Sequence, residues 1–146
     1  MSETSVCLEQ LLPIILERLQ VGESVKFTPN GTSMLPMLKG GRDTIVLSPI
    51  NGRLVKYELP LYRRDNGQYV LHRIVKVGKN YTCRGDNQIY DELDVRQDQL
   101  IGVVTAFTRN GKRFEVSDFR YKIYCRLICW ARPFRRVVRK LRRMLS

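Results

Sequence analysis

The chain has 146 residues with a formal net charge of +12, and 43% of them are hydrophobic and 27% charged. This size and composition fit one globular domain and exclude both wholesale disorder and a second independent module. No apolar run approaches the roughly 18 residues needed to cross a bilayer, so we expect no membrane-spanning helix.

The first element in the chain is a predicted short helix over about residues 6–20, in which Pro13 is tolerated only near a first turn. Gly22 ends this helix. Val25 and Phe27 then alternate with polar neighbours, as in a half-buried strand. The segment NGTSMLPMLKGGRD follows, and its glycines and turn formers predict a loop.

Residues 44–117 show a hydrophobic period close to two. Apolar residues alternate in TIVL, LVKYELPLY, YVLHRIVKV, YTCR and LIGVVTAFTRNGKRFEV, and turns rich in Asn and Gly separate these segments. Such spacing predicts a meander of short antiparallel strands, with Asn110-Gly111 as the last hairpin turn. We therefore expect a mostly β body over residues 24–117, in one domain that spans residues 1–118.

A basic helix is predicted after this body, over residues 119–146, with Asp118 as its N-cap and a kink or break at Pro133. Residues 119–146 hold ten Lys/Arg and no acid, whereas residues 1–118 hold 16 Lys/Arg and 14 Asp/Glu. At about 100° per residue the helix has an apolar face and an arginine face. The apolar face contains Phe119, Ile123, Leu127, Trp130, Phe134, Val137, Leu141 and Met144, and the arginine face contains Arg132, Arg135, Arg136, Arg139, Arg142 and Arg143.

Ser33 is the candidate nucleophile of the chain. It lies in GTSMLPML, where Gly31 permits a close backbone approach, Met34 offers an apolar anchor and Pro36 stiffens the exit of the loop. A hydrolase needs a nucleophile that is held rigidly beside a base. Considered alone, a serine in a glycine-rich loop is more often a turn residue.

His72, the only histidine, is the candidate general base. Strand alternation places it on one face with Val70 and Ile74, where partial desolvation favours the neutral imidazole that a base requires. If His72 must be neutral, activity should fall below about pH 6.5. A hydrogen-bonded structural histidine is the alternative.

The acids that could orient the imidazole are Asp86, Asp91 and Glu92, in the segment GDNQIYDE.

Together and in this order, these segments resemble the conserved boxes of type I signal peptidases. The boxes are similar to SMLP at residues 33–36, GRDTIV at 41–46, HRIV at 72–75, GDN at 85–87 and IGVV at 101–104. The resemblance covers roughly residues 30–108, and it is to the branch in which a histidine replaces lysine as the general base. It implies the β-barrel-like catalytic fold that signal peptidases share with self-cleaving phage and SOS repressors.

The resemblance implies a serine endopeptidase that needs no cofactor. Ser33 would attack the scissile carbonyl, and His72 would take its proton and pass it to the leaving amine. Asp86 or Asp91 would support His72, and the spacing of the segment does not decide between them. Thr32, Met34 and Pro36 would line the substrate and oxyanion region.

The chain departs from the family at three places. Gly31 stands where the family often has a hydroxyl residue, so the Ser33 N–H would have to stabilise the oxyanion. The Gly-Asp pair of the family is Gly-Arg-Asp here, with one inserted residue. The N-terminal membrane anchor that signal peptidases generally carry is not expected in this chain. A catalytically silent membrane- or partner-binding module on the same fold is therefore the main alternative. The repressor alternative is weaker, because those proteins use lysine and cut at Ala-Gly or Cys-Gly, and neither dipeptide occurs here.

The basic helix predicts a protein that lies in the cytoplasm, peripherally at an anionic membrane surface. The residues expected to bind lipid are Trp130, Phe134, Arg135, Arg136, Arg139, Lys140, Arg142 and Arg143. In the first alternative the apolar face packs on the β body and the arginines are only solvated. In the second the arginines bind nucleic acid, which the apolar neighbours of Trp130 and Phe134 disfavour.

The four cysteines are expected to be reduced cytosolic thiols, because none forms a C-x-x-C pair. With a single histidine they do not supply the four ligands of a zinc site.

Overall fold

The computed structural model of the protein describes residues 8–146, which form three α-helices, nine β-strands and one 3-10 turn. The helices are α1 (Leu8–Gln20), α2 (Phe119–Trp130) and α3 (Arg132–Leu145). The strands are β1 (Val25–Phe27), β2 (Thr44–Ser48), β3 (Pro60–Arg63), β4 (Tyr69–Leu71), β5 (Arg73–Val77), β6 (Tyr81–Arg84), β7 (Glu92–Val95), β8 (Leu100–Arg109) and β9 (Lys112–Glu115). Helix and strand each account for about 30%, so the prediction of a mostly β fold is too narrow.

The strands form two antiparallel sheets. The larger sheet has the order β1-β2-β8-β3-β4, with β9 paired to the end of β8. The smaller sheet has the order β5-β6-β7. Because the strands divide between two sheets, the expected barrel-like closure is not confirmed.

Strand β8 organises the larger sheet, since its ten residues pair with β2, β3 and β9. Its middle is buried on both faces, at residues 102–104 and 106–107, so its burial does not follow the period-two pattern. The predicted hairpin turn at Asn110-Gly111 is confirmed, and both residues have positive φ, 50° and 80°. These angles are typical of the two-residue turns that match the twist of a hairpin.

Two predicted elements differ from the structure. Of LVKYELPLY, only residues from Pro60 onward form a strand, because Tyr57 has φ 80° and turns the chain away from extended geometry. In α1, Pro13 lies inside the helix rather than in its first turn. Residues 6 and 7, where this helix was expected to begin, lie outside the described range.

The C-terminal helical segment divides as its sequence predicts. The Asp118 carboxylate accepts a hydrogen bond from Arg120 N–H at 2.9 Å and so caps α2. Helix α2 ends at Trp130 with Ala131 as its C-cap, and Pro133 lies in the first turn of α3, where it removes no helical hydrogen bond.

Two hydrophobic clusters form the core. The larger cluster lies between α1, one face of the larger sheet and α2. It includes Ile15, Ile45, Leu61 and Tyr121. The smaller connects the two sheets and includes Tyr62, Ile74, Tyr81 and Cys83. The chain passes from β4 to β5, and so from one sheet to the other, at His72.

Candidate active site

The Ser33 loop is held at both of its ends. Gly41 N–H donates to the Pro29 carbonyl at 2.9 Å. The buried Asp43 carboxylate accepts from the backbone N–H groups of Lys39 and Asn110 at 2.8 and 3.0 Å, which ties the end of the loop to the β8–β9 hairpin. The GRD segment therefore has a structural role as the anchor of this loop.

Ser33 directly precedes the buried anchors of its own loop. Met34 and Leu38 are buried in the larger cluster, whereas Ser33 is partly exposed and Thr32 and Pro36 are exposed. The apolar side chains on one side of the loop fix its backbone, because their burial drives the loop onto the sheet. Met34 thus has the anchoring position that the sequence indicates.

The GDN turn binds the backbone of the Ser33 loop directly. Asn87 N–H donates to the Ser33 carbonyl at 2.9 Å, and Asn87 Nδ2 donates to the Thr32 carbonyl at 3.1 Å. A Cβ atom at residue 85 would lie only 2.6 Å from the Ser33 carbonyl oxygen, which explains the glycine there. Two of the segments identified from the sequence are therefore in contact.

The backbone N–H of Ser33 donates to no acceptor among residues 8–146. Gly31 has φ 100°, a conformation that favours glycine, and it contributes no hydroxyl to this side of the loop. Within the described residues the Ser33 N–H is therefore a donor without an acceptor.

His72 is 2% exposed and lies at the junction of the two sheets. Its Nδ1 is 3.3 Å from Tyr62 Oη and 3.6 Å from Glu92 Oε2. Val70 and Ile74 belong to the smaller cluster, which also contains Tyr62, so the three residues of the predicted face share one side of the chain.

The hydrogen bonds around Tyr62 define the tautomer of His72. Tyr62 donates its hydroxyl proton to Glu92 Oε2 at 2.7 Å, so its oxygen can only accept from the imidazole. The Nδ1 atom therefore carries the proton, and Nε2 holds a free lone pair. Nε2 has no hydrogen-bond partner in the described range.

Burial lowers the pKa of His72 below its ordinary value, and the nearby Glu92 carboxylate offsets part of this effect. The pKa of Glu92 itself is lowered: partial burial acts to raise it, but hydrogen bonds from Arg64 and Tyr62 outweigh that burial. Arg64 binds both carboxylate oxygens, at 2.8 and 3.0 Å. His72 is consequently neutral at neutral pH and lies beside an ionised acid.

Neither Asp86 nor Asp91 hydrogen-bonds His72, although the Asp86 charge acts, more weakly than that of Glu92, to raise the pKa of the imidazole. Asp86 forms a two-pronged ion pair with Arg73 at 2.8 Å and accepts from Tyr124. Asp91 instead binds two arginines, Arg84 and Arg132. The third acid that the sequence left open, Glu92, is the one near the imidazole.

Sequence reasoning missed three residues of the site, Tyr62, Arg64 and Arg73. Arg73 is fully buried and binds Asp86, Tyr121 and the Met37 sulfur, so it connects β5, the GDN turn, α2 and the Ser33 loop. Its position directly after His72 was a usable signal, since a strand residue next to a base points to the opposite face. Nothing in the sequence links Tyr62 or Arg64 to Glu92.

A cavity of about 420 Å³ lies beside Ser33. Its walls come from both edges of the larger sheet and from the loop, and they include Phe27, Met34, Leu38, Tyr69, Val70 and Leu71. The cavity brings Ser33 near strand β4, which ends directly before His72, and His72 itself is not among the lining residues. No hydrogen bond joins the Ser33 hydroxyl to His72 within residues 8–146.

The arginine face of α3 meets the body, and the predicted apolar face of the C-terminal helices is exposed. The alternative in which the apolar face packs on the body therefore does not hold. Arg132 contacts Asp91, and Arg135, Arg136 and Arg139 donate to the backbone carbonyls of Asp86, Ile89 and Asn87. Arg135, Arg136 and Arg139 are therefore engaged with the body rather than free for lipid, contrary to expectation. Trp130, Phe134, Lys140, Arg142 and Arg143 are exposed or partly exposed.

Cys83, Cys125 and Cys129 are free thiols, and Cys7 lies outside the described range. In the part of the chain that the structure describes, no group of three or more His, Cys, Asp and Glu residues could hold a metal ion. None of the described helices is long and apolar enough to cross a bilayer.

Comparison with protein-family models, with curated proteins and with solved structures found no match.

Proposed function

We propose that this protein is a serine endopeptidase of the signal-peptidase type, in the branch with a histidine base. One observation carries the proposal: the Tyr62–Glu92 pair binds Nδ1–H of a neutral His72 and leaves its Nε2 without a hydrogen-bond partner in the described range. This is the protonation state that a general base needs before it accepts a proton from serine.

In the proposed reaction the Ser33 oxygen attacks the peptide carbonyl while His72 Nε2 takes the hydroxyl proton. The Ser33 N–H donates to the oxyanion of the tetrahedral intermediate. His72 then protonates the leaving amine, and an acyl ester remains on Ser33. Water that is deprotonated by His72 hydrolyses this ester and regenerates the serine. Glu92 stabilises the imidazolium through Tyr62 in both steps, and no cofactor takes part.

Strand β4 supports the binding of an extended peptide, because it lies at the edge of the larger sheet and leads into His72. A substrate strand could pair with this free edge and continue the sheet. The cavity beside it is lined mainly by large apolar side chains, and its polar lining residues besides Ser33 are Glu9, Asn30, Arg64 and Gln68. We infer that the substrate presents a large apolar side chain to this cavity.

Cleavage of a synthetic peptide library, read by mass spectrometry, tests this proposal. We expect wild-type protein to cut peptides near a large apolar residue, and Ser33→Ala and His72→Ala each to lower kcat/KM at least about 10³-fold. Ser117→Ala is the matched control, because its hydroxyl is exposed and has no hydrogen-bond partner in the described structure. Turnover that is unchanged in either site variant would exclude the mechanism.

A catalytically silent module on the same fold is the second candidate. Two observations favour it: residue 31 has no hydroxyl, and Ser33 and His72 share no direct hydrogen bond. The same library separates the two candidates, since a silent module would cut no peptide, with Ser33 present or replaced. The nucleophile–base contact of a peptidase, by contrast, is often long until substrate is bound.

A further inference from the structure

An exposed apolar ridge runs along α2 and α3. It consists of Phe119, Ile123, Leu127, Trp130, Phe134, Val137, Leu141 and Met144, whose exposures range from 40% to 72%. The ring centroids of Trp130 and Phe134 are 5.6 Å apart, so the ridge is continuous across the break between the helices. Single exposed apolar residues are ordinary, but a contiguous row of eight marks an interaction surface.

The helices reach this orientation because their arginines bind the body. Four arginines of α3 donate to the GDN segment and its neighbours, over residues 86–91, and this leaves the apolar side outward. In α3, which has no buried residue, charge-assisted hydrogen bonds replace the burial that normally drives an amphipathic helix onto its own domain, whereas α2 also buries Tyr121 and Cys125 in the larger cluster. The ridge therefore has no partner within residues 8–146.

The charges around the ridge indicate what covers it. At about 100° per residue, Lys140 lies about 80° from the centre of the ridge and borders it, whereas Arg142 and Arg143 lie about 120° and about 140° from that centre, on the arginine face. Residues 119–146 contain ten Lys/Arg and no acid, of which Lys140, Arg142 and Arg143 make no side-chain contact to the described body. A second copy would bring two such cationic segments together, which opposes self-association. Nucleic acid binds through cations that neutralise its phosphates, and the centre of the ridge is apolar, so the ridge does not suit nucleic acid.

We propose that the α2–α3 ridge docks on an anionic lipid surface, with Trp130 and Phe134 at its centre and Lys140, Arg142 and Arg143 at the headgroups. An apolar stripe flanked by cations is the arrangement of helices that lie in the membrane interface. The surface holds the GDN side of the catalytic body near the membrane, since α3 is bound to that turn.

Trp130 is the only tryptophan of the chain and lies on the ridge, so its fluorescence reports docking directly. The full chain is mixed with phosphatidylcholine vesicles, with or without a minority of phosphatidylglycerol, and is also sedimented with them. We expect a blue shift and co-sedimentation with the anionic vesicles that are much weaker with neutral ones. Ser33→Ala should bind as wild type does, which separates docking from the proposed catalysis.

Two variants test the two parts of the surface. Leu141→Asp should lower vesicle partitioning at least about tenfold, because it removes a buried leucine from the lipid contact. Its matched control is Val21→Asp, which places the same charge at another exposed apolar residue, directly after the end of α1. Replacement of Lys140, Arg142 and Arg143 with glutamine should lower partitioning on the order of 100-fold.

Three results would overturn the proposal. The first is no blue shift and no sedimentation with anionic vesicles. The second is a blue shift that rises with protein concentration in the absence of lipid, which would mean that a second copy covers the ridge. The third is equal loss of binding in Val21→Asp and Leu141→Asp, which would assign binding to net charge alone. Circular dichroism checks that each variant keeps its helix content.

Discussion

The imidazole of His72 contacts Glu92 through the phenol of Tyr62, and this arrangement determines how His72 titrates. Burial lowers the pKa of His72 below the ordinary value of about 6.5. A base acts only when neutral, so activity falls as the pH drops through this lowered pKa. The acid limb of the pH profile should therefore lie below about pH 6.5, lower than the unperturbed value alone suggests.

Glu92→Gln tests the role of the carboxylate. The substitution removes the negative charge that raises the pKa of His72, so the acid limb of kcat/KM should move to still lower pH. The imidazolium also loses its stabilising charge, and we expect the plateau of kcat/KM to fall about 10-fold to 100-fold. Because His72 is the only histidine, an NMR titration of its ring reports the same pKa without any substrate.

Asp94→Asn is the matched control for Glu92, since it neutralises an exposed carboxylate on the same strand. It should leave both the pH profile and the ring titration unchanged. An acid limb that stays in place in Glu92→Gln, or that moves to higher pH, would show that Glu92 does not act on His72.

Asp86 is expected to stabilise the fold, because its carboxylate pairs with a buried arginine. Arg73 is fully buried, and its guanidinium is neutralised by the Asp86 carboxylate at 2.8 Å. Asp86→Ala would leave that charge unpaired in the core, at a cost of about 3–5 kcal/mol in the free energy of unfolding. Urea denaturation measures this loss, which is a large part of the roughly 5–15 kcal/mol of a typical domain.

The control for Asp86→Ala is Asp65→Ala, which breaks an exposed ion pair with Arg96. Exposed pairs contribute little, so the midpoint of unfolding should hardly change. Equal destabilisation by the two substitutions would mean that the Arg73–Asp86 pair is not the buried anchor that the geometry indicates.

Among the elements, the GDN turn connects the most parts of the site. It binds the Ser33 loop through Asn87, strand β5 through Asp86, and α3 through its backbone carbonyls. A shift of this turn would move the nucleophile relative to β5, whose first residue follows His72. Correct placement of the nucleophile therefore depends on how closely the turn approaches Ser33.

Gly85→Ala tests this dependence. The added Cβ would lie 2.6 Å from the Ser33 carbonyl oxygen, so either the loop or the turn must move. A displacement of about 1 Å is enough to lower kcat/KM about 100-fold, and we expect a loss of that order. Gly78→Ala is the control, because its Cβ would meet its nearest neighbour at an ordinary 3.6 Å. Full activity in Gly85→Ala, read in the peptide assay, would show that the turn does not position Ser33.

The elements also show what local sequence patterns can predict. The alternation at Val25 and Phe27, the hairpin turn at Asn110 and the cap at Asp118 depend on neighbouring residues, and all three are confirmed. The prediction of a strand over residues 54–59 is wrong. The apolar alternation continues there, but Tyr57 adopts a positive φ that a strand does not allow. Tertiary bonds, from Tyr57 N–H to the Ile74 carbonyl and from Ile74 N–H to the Glu58 carbonyl, hold that conformation.

At the scale of the whole molecule, the orientation of the basic helix was beyond prediction from the sequence. Helical periodicity identifies two faces, but it does not say which face meets the body. The carbonyls and carboxylates at residues 86–91 decide this, because they accept from the arginines. The same limit applies to His72, whose contact with Glu92 depends on Tyr62 from a distant strand.

The division into two sheets follows from a break that the alternation pattern conceals. YVLHRIVKV is one uninterrupted pattern, yet β4 pairs with β3 in the larger sheet and β5 pairs with β6 in the smaller one. His72 lies between them and has no ladder partner of its own. The sequence therefore predicts the strands well and their grouping poorly, and the candidate base lies where the grouping changes.

Covalent trapping of Ser33 tests the central claim most directly. The protein is incubated with an extended peptide that carries a fluorophosphonate in place of the scissile carbonyl and a large apolar residue beside it. We expect intact-mass analysis to find one adduct, located on Ser33, in wild-type protein and none in Ser33→Ala or His72→Ala. An adduct on another residue, or labelling of Ser33 at an equal rate in His72→Ala, would contradict a serine that is activated by this histidine.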